Sequence, residues 1–277
     1  MALTRLVLQQ TFSYDYASPV GRLHHRLMVV PPACHGDQRR ISSQIEVTGA
    51  EVRVVESLDL FGNVLVEVRA ARVQAWVEFV VGVVVERSTG RGATAGPDDC
   101  AQMLLPSTLT EPNAALAAAA HELLASGDTG LALAERVSAW VAATMHYRHD
   151  VTGVRTTAAE ALAVGAGGCQ DYAHVILALC RLCALPARYV SGHLVGEGGS
   201  HAWVEVLLAS ADDPASLVAV AFDPTNDRRA GSRYLTVAVG RDYADVAPTY
   251  GTFSGPVGGV LSTTKTLDEE TVDLVLC

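Results

Sequence analysis

The sequence predicts a two-part fold: a β-rich region over residues 1–97, then helices followed by strands over residues 98–277. Three observations predict it. Up to about residue 90, short apolar runs alternate with turn residues, the pattern of an antiparallel sandwich or barrel. A stretch rich in Gly, Thr and Ala, residues 89–97, then reads as a linker before the composition turns sharply to Ala and Leu. Beyond it, two glycines deliver a cysteine to the head of a strongly helical pattern, and a histidine and an aspartate follow in or beside apolar strands.

In the first region, residues 3–11 form the first expected strand, with Leu6 and Leu8 on one face, and residues 13–19 read as a loop. Residues 23–30 can pair with it before Pro31 and Pro32 stop the ladder, since proline has no N–H to donate. Ile45, Val47, Val52, Val54 and Leu58 keep period-two spacing across a turn at Gly49 and Ala50. After a turn at Phe61-Gly62-Asn63, Val64, Val66 and Val68 alternate again, and residues 76–86 close the series. Adjacent His24 and His25 face opposite sides of a strand and read as surface or packing residues.

The second region opens with helices. Asn113 caps an Ala- and Leu-rich helix over residues 114–125, which Ser126-Gly127-Asp128 ends. Leu131, Ala134, Val137, Val141 and Ala142 recur at helical spacing and predict a second helix up to Thr144. His146, His149 and Asp150 offer three ligand types, but in so short a loop they converge poorly on a metal. Thr157 and Glu160 form a capping box at the start of a helix ending near Gly165. Tyr172, Ile176, Leu179 and Cys183 then share a helical stripe that Pro186 stops. Cys180 and Cys183 lie inside this apolar run with no second ligand pair, so their CxxC spacing reads as core packing. The six cysteines are scattered too irregularly for a disulfide framework, and Cys277 is read as incidental.

Cys169 falls at the first turn of that helix, where unpaired N–H groups and the helix dipole favour an anion. A thiolate is the form that attacks carbonyls, and the same N–H groups can meet a tetrahedral oxyanion. Alone, the cysteine fits a buried structural role as well. His201 alters that reading, because it opens an apolar strand over residues 201–206 after the flexible Gly196-Glu197-Gly198-Gly199 loop. Asp223 closes the next strand, over residues 218–222, although Asp-Pro is also an ordinary turn signal. A carboxylate on one imidazole nitrogen and a thiol on the other is triad geometry. Residues 234–239 make another strand, residues 263–275 a last one that pairs back to the sheet, and Arg241, Asp242 and Tyr243 are candidates for the rim of the cleft.

Three segments taken together, Gly168-Cys169-Gln170-Asp171-Tyr172-Ala173-His174, His201-Ala202-Trp203-Val204-Glu205 and Phe222-Asp223-Pro224-Thr225-Asn226, resemble the bacterial transglutaminase-like superfamily. The likeness covers about residues 130–245, and the β-rich first part is similar to the domain that often precedes this core in bacterial members. The resemblance implies an α+β, papain-like core in which a helix-borne cysteine packs on an antiparallel sheet. It implies Cys169 as nucleophile, His201 as base and Asp223 as its orienter. Gly168 departs from the family pattern, which commonly has an aliphatic residue there, and a packing effect is the expected consequence. Gln170, Tyr172 and Trp203 are candidates for the oxyanion hole or the cleft, Asp171 for the helix N-terminus, and His174 for packing or the cleft wall. Animal members use calcium, but no acidic calcium loop is present, so neither cofactor nor metal is expected.

Bulk properties limit the partners. The 277 residues hold one large domain or two, and 49% hydrophobic content supplies a core. Twenty basic against 30 acidic residues give a net charge of −10, which repels phosphate backbones and excludes nucleic acid as the expected partner. The most apolar window, residues 76–85, is too short to cross a bilayer and contains Glu78, and no cleavable leader is evident. The expectation is a soluble, cytoplasmic acyl-transfer enzyme that acts on amide or peptide bonds of a peptide or protein, with hydrolysis ahead of amine transfer. Glutamine cross-linking or deamidation, and a non-catalytic peptide-binding module on the same fold, are the alternatives.

Overall fold

The structure is a computed structural model and describes residues 3–88, 92–210, 216–255 and 258–272. The first region contributes strands β1 (Leu3–Tyr16), β2 (Val20–Leu27), β3 (Cys34–His35), β4 (Gln38–Thr48), β5 (Arg53–Leu58), β6 (Val64–Val73) and β7 (Trp76–Ser88). Alternation builds its interior. Leu6, Leu8 and Phe12 of β1 and Val77, Phe79, Val81, Val83 and Val85 of β7 point inward to meet Leu23, Val66 and Val68 from the second sheet. His25 joins that interior between Tyr14 and Phe79, while His24 on the outer face reaches Glu67 at 2.9 Å.

Three expectations are corrected here. Residues 13–16 continue β1 instead of looping, because Tyr16 adds another inward side chain. The period-two run across Gly49 is two strands in different sheets, β4 beside β7 and β5 beside β6. Last, the final strands do not extend the core sheet. β16 (Thr249–Ser254) pairs with β2, and β17 (Gly259–Val272) pairs with β1 along its whole length. The sandwich therefore has a five-stranded sheet ordered β17-β1-β7-β4-β3 and a four-stranded sheet ordered β16-β2-β6-β5, and its sequence is discontinuous. Cys277 lies outside the described residues.

Between these halves lies the core. The short strand β8 (Thr94–Ala95), within the expected linker, pairs with the core sheet. Helices α1 (Pro97–Leu104), α2 (Ala114–Leu124) and α3 (Gly130–Thr144), the strand β9 (His146–Tyr147), helix α4 (Ala158–Val164) and the strand β10 (Ala166–Gly167) lead to α5 (Cys169–Leu182). Asn113 caps α2 by accepting from the Leu116 N–H, and the Thr157–Glu160 box opens α4, both as their spacing predicts. The sheet follows with β11 (Ala187–Leu194), β12 (His201–Ala209), β13 (Leu217–Asp223), β14 (Arg228–Arg229) and β15 (Tyr234–Gly240), ordered β14-β13-β12-β11-β15. The short helix α6 (Tyr243–Val246) leads back to the sandwich.

One face of this antiparallel sheet takes α5, with Ile176, Leu179 and Cys183 sharing a core with Ala202, Val204 and Val206. The CxxC cysteines are free and buried in that core. The sandwich covers the rim of the other face. There the Gln38 amide both donates to and accepts from the backbone of Thr236, and the Asn63 amide does the same at Val239. Two side-chain amides thus occupy hydrogen-bonding positions of β15 where a further strand would pair.

Candidate active site

Gly168 caps α5 and Cys169 is its first residue. The turn is held by Asp171, whose Oδ2 accepts from the Gly168 N–H at 2.8 Å and from the Thr152 hydroxyl at 2.6 Å. A side chain at Gly167 has no room, because a Cβ there would lie 2.4 Å from that same oxygen. Burial raises the Asp171 pKa, and the hydrogen bonds from Thr152 and Gly168 oppose the shift. The Gly167 carbonyl also accepts from the Arg148 N–H at 3.0 Å, which fixes loop 146–156 beside the thiol.

His201 opens β12 and Asp223 ends β13, and the antiparallel pairing of these strands brings the two side chains together. His201 Nε2 lies 2.7 Å from Asp223 Oδ2, and both residues are buried. Asp223 collects further donors: the Asn226 amide at 2.8 Å, the Tyr234 hydroxyl at 2.7 Å and the N–H groups of Thr225 and Asn226. Burial opposes its ionisation, yet the His201, Asn226 and Tyr234 hydrogen bonds keep its pKa below the ordinary value. Burial likewise opposes charge on the imidazole, but hydrogen bonds with Asp223 and with the Cys169 thiol, reinforced by their charges, push it up to about 10. With Nε2 committed to Asp223, Nδ1 is the nitrogen left for the cleft side.

The imidazole is held from behind. The Trp203 ring stacks on it at 6.1 Å between centroids, and Tyr234 packs edge-on against Trp203 at 5.3 Å. Gly192, opposite His201 in the β11–β12 ladder, makes this possible, since a Cβ there would fall 2.5 Å from the indole and 2.1 Å from the Leu235 carbonyl. Among the described residues no three His, Cys, Asp or Glu side chains gather as a metal-binding set. Among the described residues no helix is long and apolar enough to cross a membrane.

A histidine and a carboxylate on adjacent strands are joined in a buried hydrogen bond, and the thiol at the helix start is near enough to raise the pKa of that histidine. Comparison with known families agrees: the model of the transglutaminase-like superfamily core matches residues 117–220, and that of the bacterial transglutaminase-like N-terminal region matches residues 6–86. The chain belongs to the transglutaminase-like superfamily. It is 31% identical over 229 residues to the uncharacterized Mycobacterium leprae protein ML0607, covering 79% of this chain and 71% of that one. The uncharacterized Mycobacterium tuberculosis protein Rv2569c is 37% identical over 116 residues, which is 38% of this chain and 36% of that protein. Among solved structures, a candidate cysteine protease from Cytophaga hutchinsonii superposes with a TM-score of 0.78 at 19% identity, covering all of this chain and 93% of that one. The fold expected from the resemblance is thus the fold found.

His201 and Asp223 are hydrogen-bonded and Cys169 heads the neighbouring helix, while the other candidates take different roles. Gln170 is half-buried beside Cys169, and its amide donates to the Gly153 carbonyl at 3.4 Å. Tyr172 is not in the cleft: it is buried, with its hydroxyl on the Met145 carbonyl at 2.8 Å. Trp203 backs the imidazole and is only 1% exposed. His174 is fully buried, accepts from the Tyr243 N–H at 3.3 Å and is held neutral by burial, its pKa lowered to about 4. The partly exposed side chain of Arg241 pairs with Asp245, and buried Asp242 caps α6. Sequence reading missed Tyr234 and Glu197. Tyr234 stands at the start of a strand, eleven residues beyond Asp223. Glu197 sits in the glycine-rich loop, with Oε2 3.1 Å from His201 Nδ1.

Proposed function

We propose that the chain is a cysteine-dependent acyl-transfer enzyme that cleaves amide or peptide bonds of peptide or protein substrates through Cys169, His201 and Asp223. The observation that carries this reading is a buried imidazole hydrogen-bonded to a buried carboxylate, its pKa raised further by the helix-start thiol of Cys169. Cys169, its proton already on His201 as a thiolate–imidazolium pair, attacks the carbonyl; the S–C bond forms, and the oxyanion develops beside the N–H groups of the first turn of α5. His201 passes a proton to the departing amine as the C–N bond breaks. Asp223 holds the ring and its positive charge throughout. A second nucleophile then releases the acyl group. Water exclusion decides between water and an amine, and the only partly buried Cys169 favours hydrolysis over transfer.

The test is a panel of acyl donors incubated with wild type and with Cys169→Ala, scoring carboxylate and amine-adduct products together. Turnover confined to wild type is expected, with carboxylate the main product. Iodoacetamide labelling of Cys169 from about pH 5 to 9 should show a rate exceeding that of exposed Cys34 at the acid end. An activity that survives Cys169→Ala, with labelling no faster than Cys34, would leave a non-catalytic peptide-binding role.

A further inference from the structure

Glu197 has no part in the triad, yet it touches the triad's open side. His201 Nδ1 is the nitrogen left after Asp223 takes Nε2, so it must hand the proton to any departing amine. Glu197 Oε2 stands 3.1 Å from that nitrogen, and among the described residues His201 is its only ion-pair partner. The two side chains differ in access, 2% exposed for His201 against 38% for Glu197. The carboxylate therefore extends from a buried ring out to solvent.

Two neighbours define what that carboxylate can receive. Tyr147, paired in β9 beside β10 just ahead of Cys169, is half-exposed; burial raises its pKa first, and the charges of Cys169 and Glu197 raise it further. Its ring can offer a face to a cation beside the carboxylate. Lys265 of β17 shows how a cation is accommodated at this loop: its ammonium donates to the Gly199 carbonyl at 2.5 Å and feels the charge of Glu197 without pairing with it. Space is open beside the loop, since a Cβ at Gly198 or Gly199 would meet nothing within 4 Å.

We infer that Glu197 makes the leaving-group side of the Cys169–His201 pair selective for positive charge, so that favoured substrates carry a basic side chain or free ammonium on the amine half of the bond that breaks. This rests on the proposed acyl-transfer reading and adds a specificity-determining residue to it. In the acylation step the cation sits against Glu197 while the Nδ1 proton of His201 moves to the departing nitrogen, the C–N bond breaks and the Cys169 thioester forms. Glu197 itself neither gains nor loses a proton.

The test needs no acyl substrate. Methanethiosulfonates of matched size react at a thiolate to form a mixed disulfide and release methanesulfinate, so their rates at Cys169 report the charge that the cleft accepts. The cationic 2-(trimethylammonium)ethyl reagent and the anionic 2-sulfonatoethyl reagent are compared on the full chain, with Cys169 and Cys34 followed separately by peptide mass spectrometry. Relative to Cys34, wild-type Cys169 should favour the cation by roughly tenfold, the scale of one partly screened unit charge. Glu197→Gln should bring the ratio near that of Cys34, and Glu197→Lys should reverse it. An unchanged ratio in Glu197→Gln, with circular dichroism showing the chain folded, overturns the inference. Loss of the acyl-transfer reading would instead appear as turnover that survives Cys169→Ala, which this ratio does not measure.

Discussion

His201 and His174 are both buried and sit on packed neighbours, β12 and α5, yet their surroundings differ in one respect that decides their charge. A carboxylate touches His201 at 2.7 Å, whereas His174 accepts a backbone N–H and has Asp242 only as a weaker, more distant influence. Burial alone therefore wins at His174 and lowers its pKa to about 4, while the partners of His201 overcome the same penalty and raise its pKa to about 10. The difference teaches that burial does not by itself mark a histidine as structural or functional. Its hydrogen-bond partners do.

Removing the deciding partner should have the largest effect. Asp223→Asn keeps the shape of the site but removes the buried carboxylate at Nε2, leaving the more exposed Glu197 at Nδ1 as the carboxylate beside the ring. Turnover is expected to fall roughly 10³- to 10⁴-fold. The pKa of His201, read from its imidazole resonances, should drop from about 10 toward the His174 value. An unshifted imidazole titration would break the comparison.

Next in size is a pH effect with opposite sign at the two rings. His174 is depressed from 6.5 to about 4, so its contribution to stability is present above pH 6.5 and is lost as pH falls toward 4. His201 is raised to about 10, so its contribution is present below pH 6.5 and is lost as pH climbs toward 10. His25 and His193, lowered to about 4 and about 3 by burial, follow His174. Replacing His174 by Gln, which can still accept from Tyr243, should remove about 3 kcal/mol from the acid-side loss and leave the alkaline limb unchanged. Denaturant melts across pH measure both limbs.

Smaller effects sharpen the geometry. Gly192→Ala should displace Trp203 from behind His201 and cost about 1–3 kcal/mol of stability, seen in Tm together with slower Cys169 alkylation. Tyr234→Phe removes one donor from Asp223 and should cost about 1 kcal/mol, with a few-fold lower kcat and KM held. A Tyr234→Phe enzyme with a lowered stability but unaltered kcat and pH profile would reduce Tyr234 to a packing role.

The legibility of these features in sequence follows the range of the forces behind them. The helix at Cys169 was readable because its signals are local: Gly167 and Gly168 before it, a stripe along it and Pro186 after it. His201 and Asp223 were readable as strand-end residues, though only the β12–β13 register brings them together. The Tyr172 stripe pointed to the core, and assigning that residue to the cleft overrode its own periodicity. Tyr234 and Glu197 could not be found from spacing, since their roles depend on how β15 and a glycine-rich loop lie across the sheet. The pairing of β17 with β1 left no local trace at all, because alternation says that a strand exists and not which strand it joins.

That pairing has a kinetic meaning. β1 is the first strand of the described chain to be synthesised and β17 the last, so one edge of β1 stays without its partner until the intervening core has been made. Closing so long a loop places the sandwich among the slow-folding topologies, and the waiting edge is exposed to foreign strands meanwhile. It also dates the completion of the cleft: Lys265, which ties down the Gly199 carbonyl next to Glu197, is carried by that last strand. The Gly199 carbonyl receives this anchor only after β17 is made, later than every other described strand.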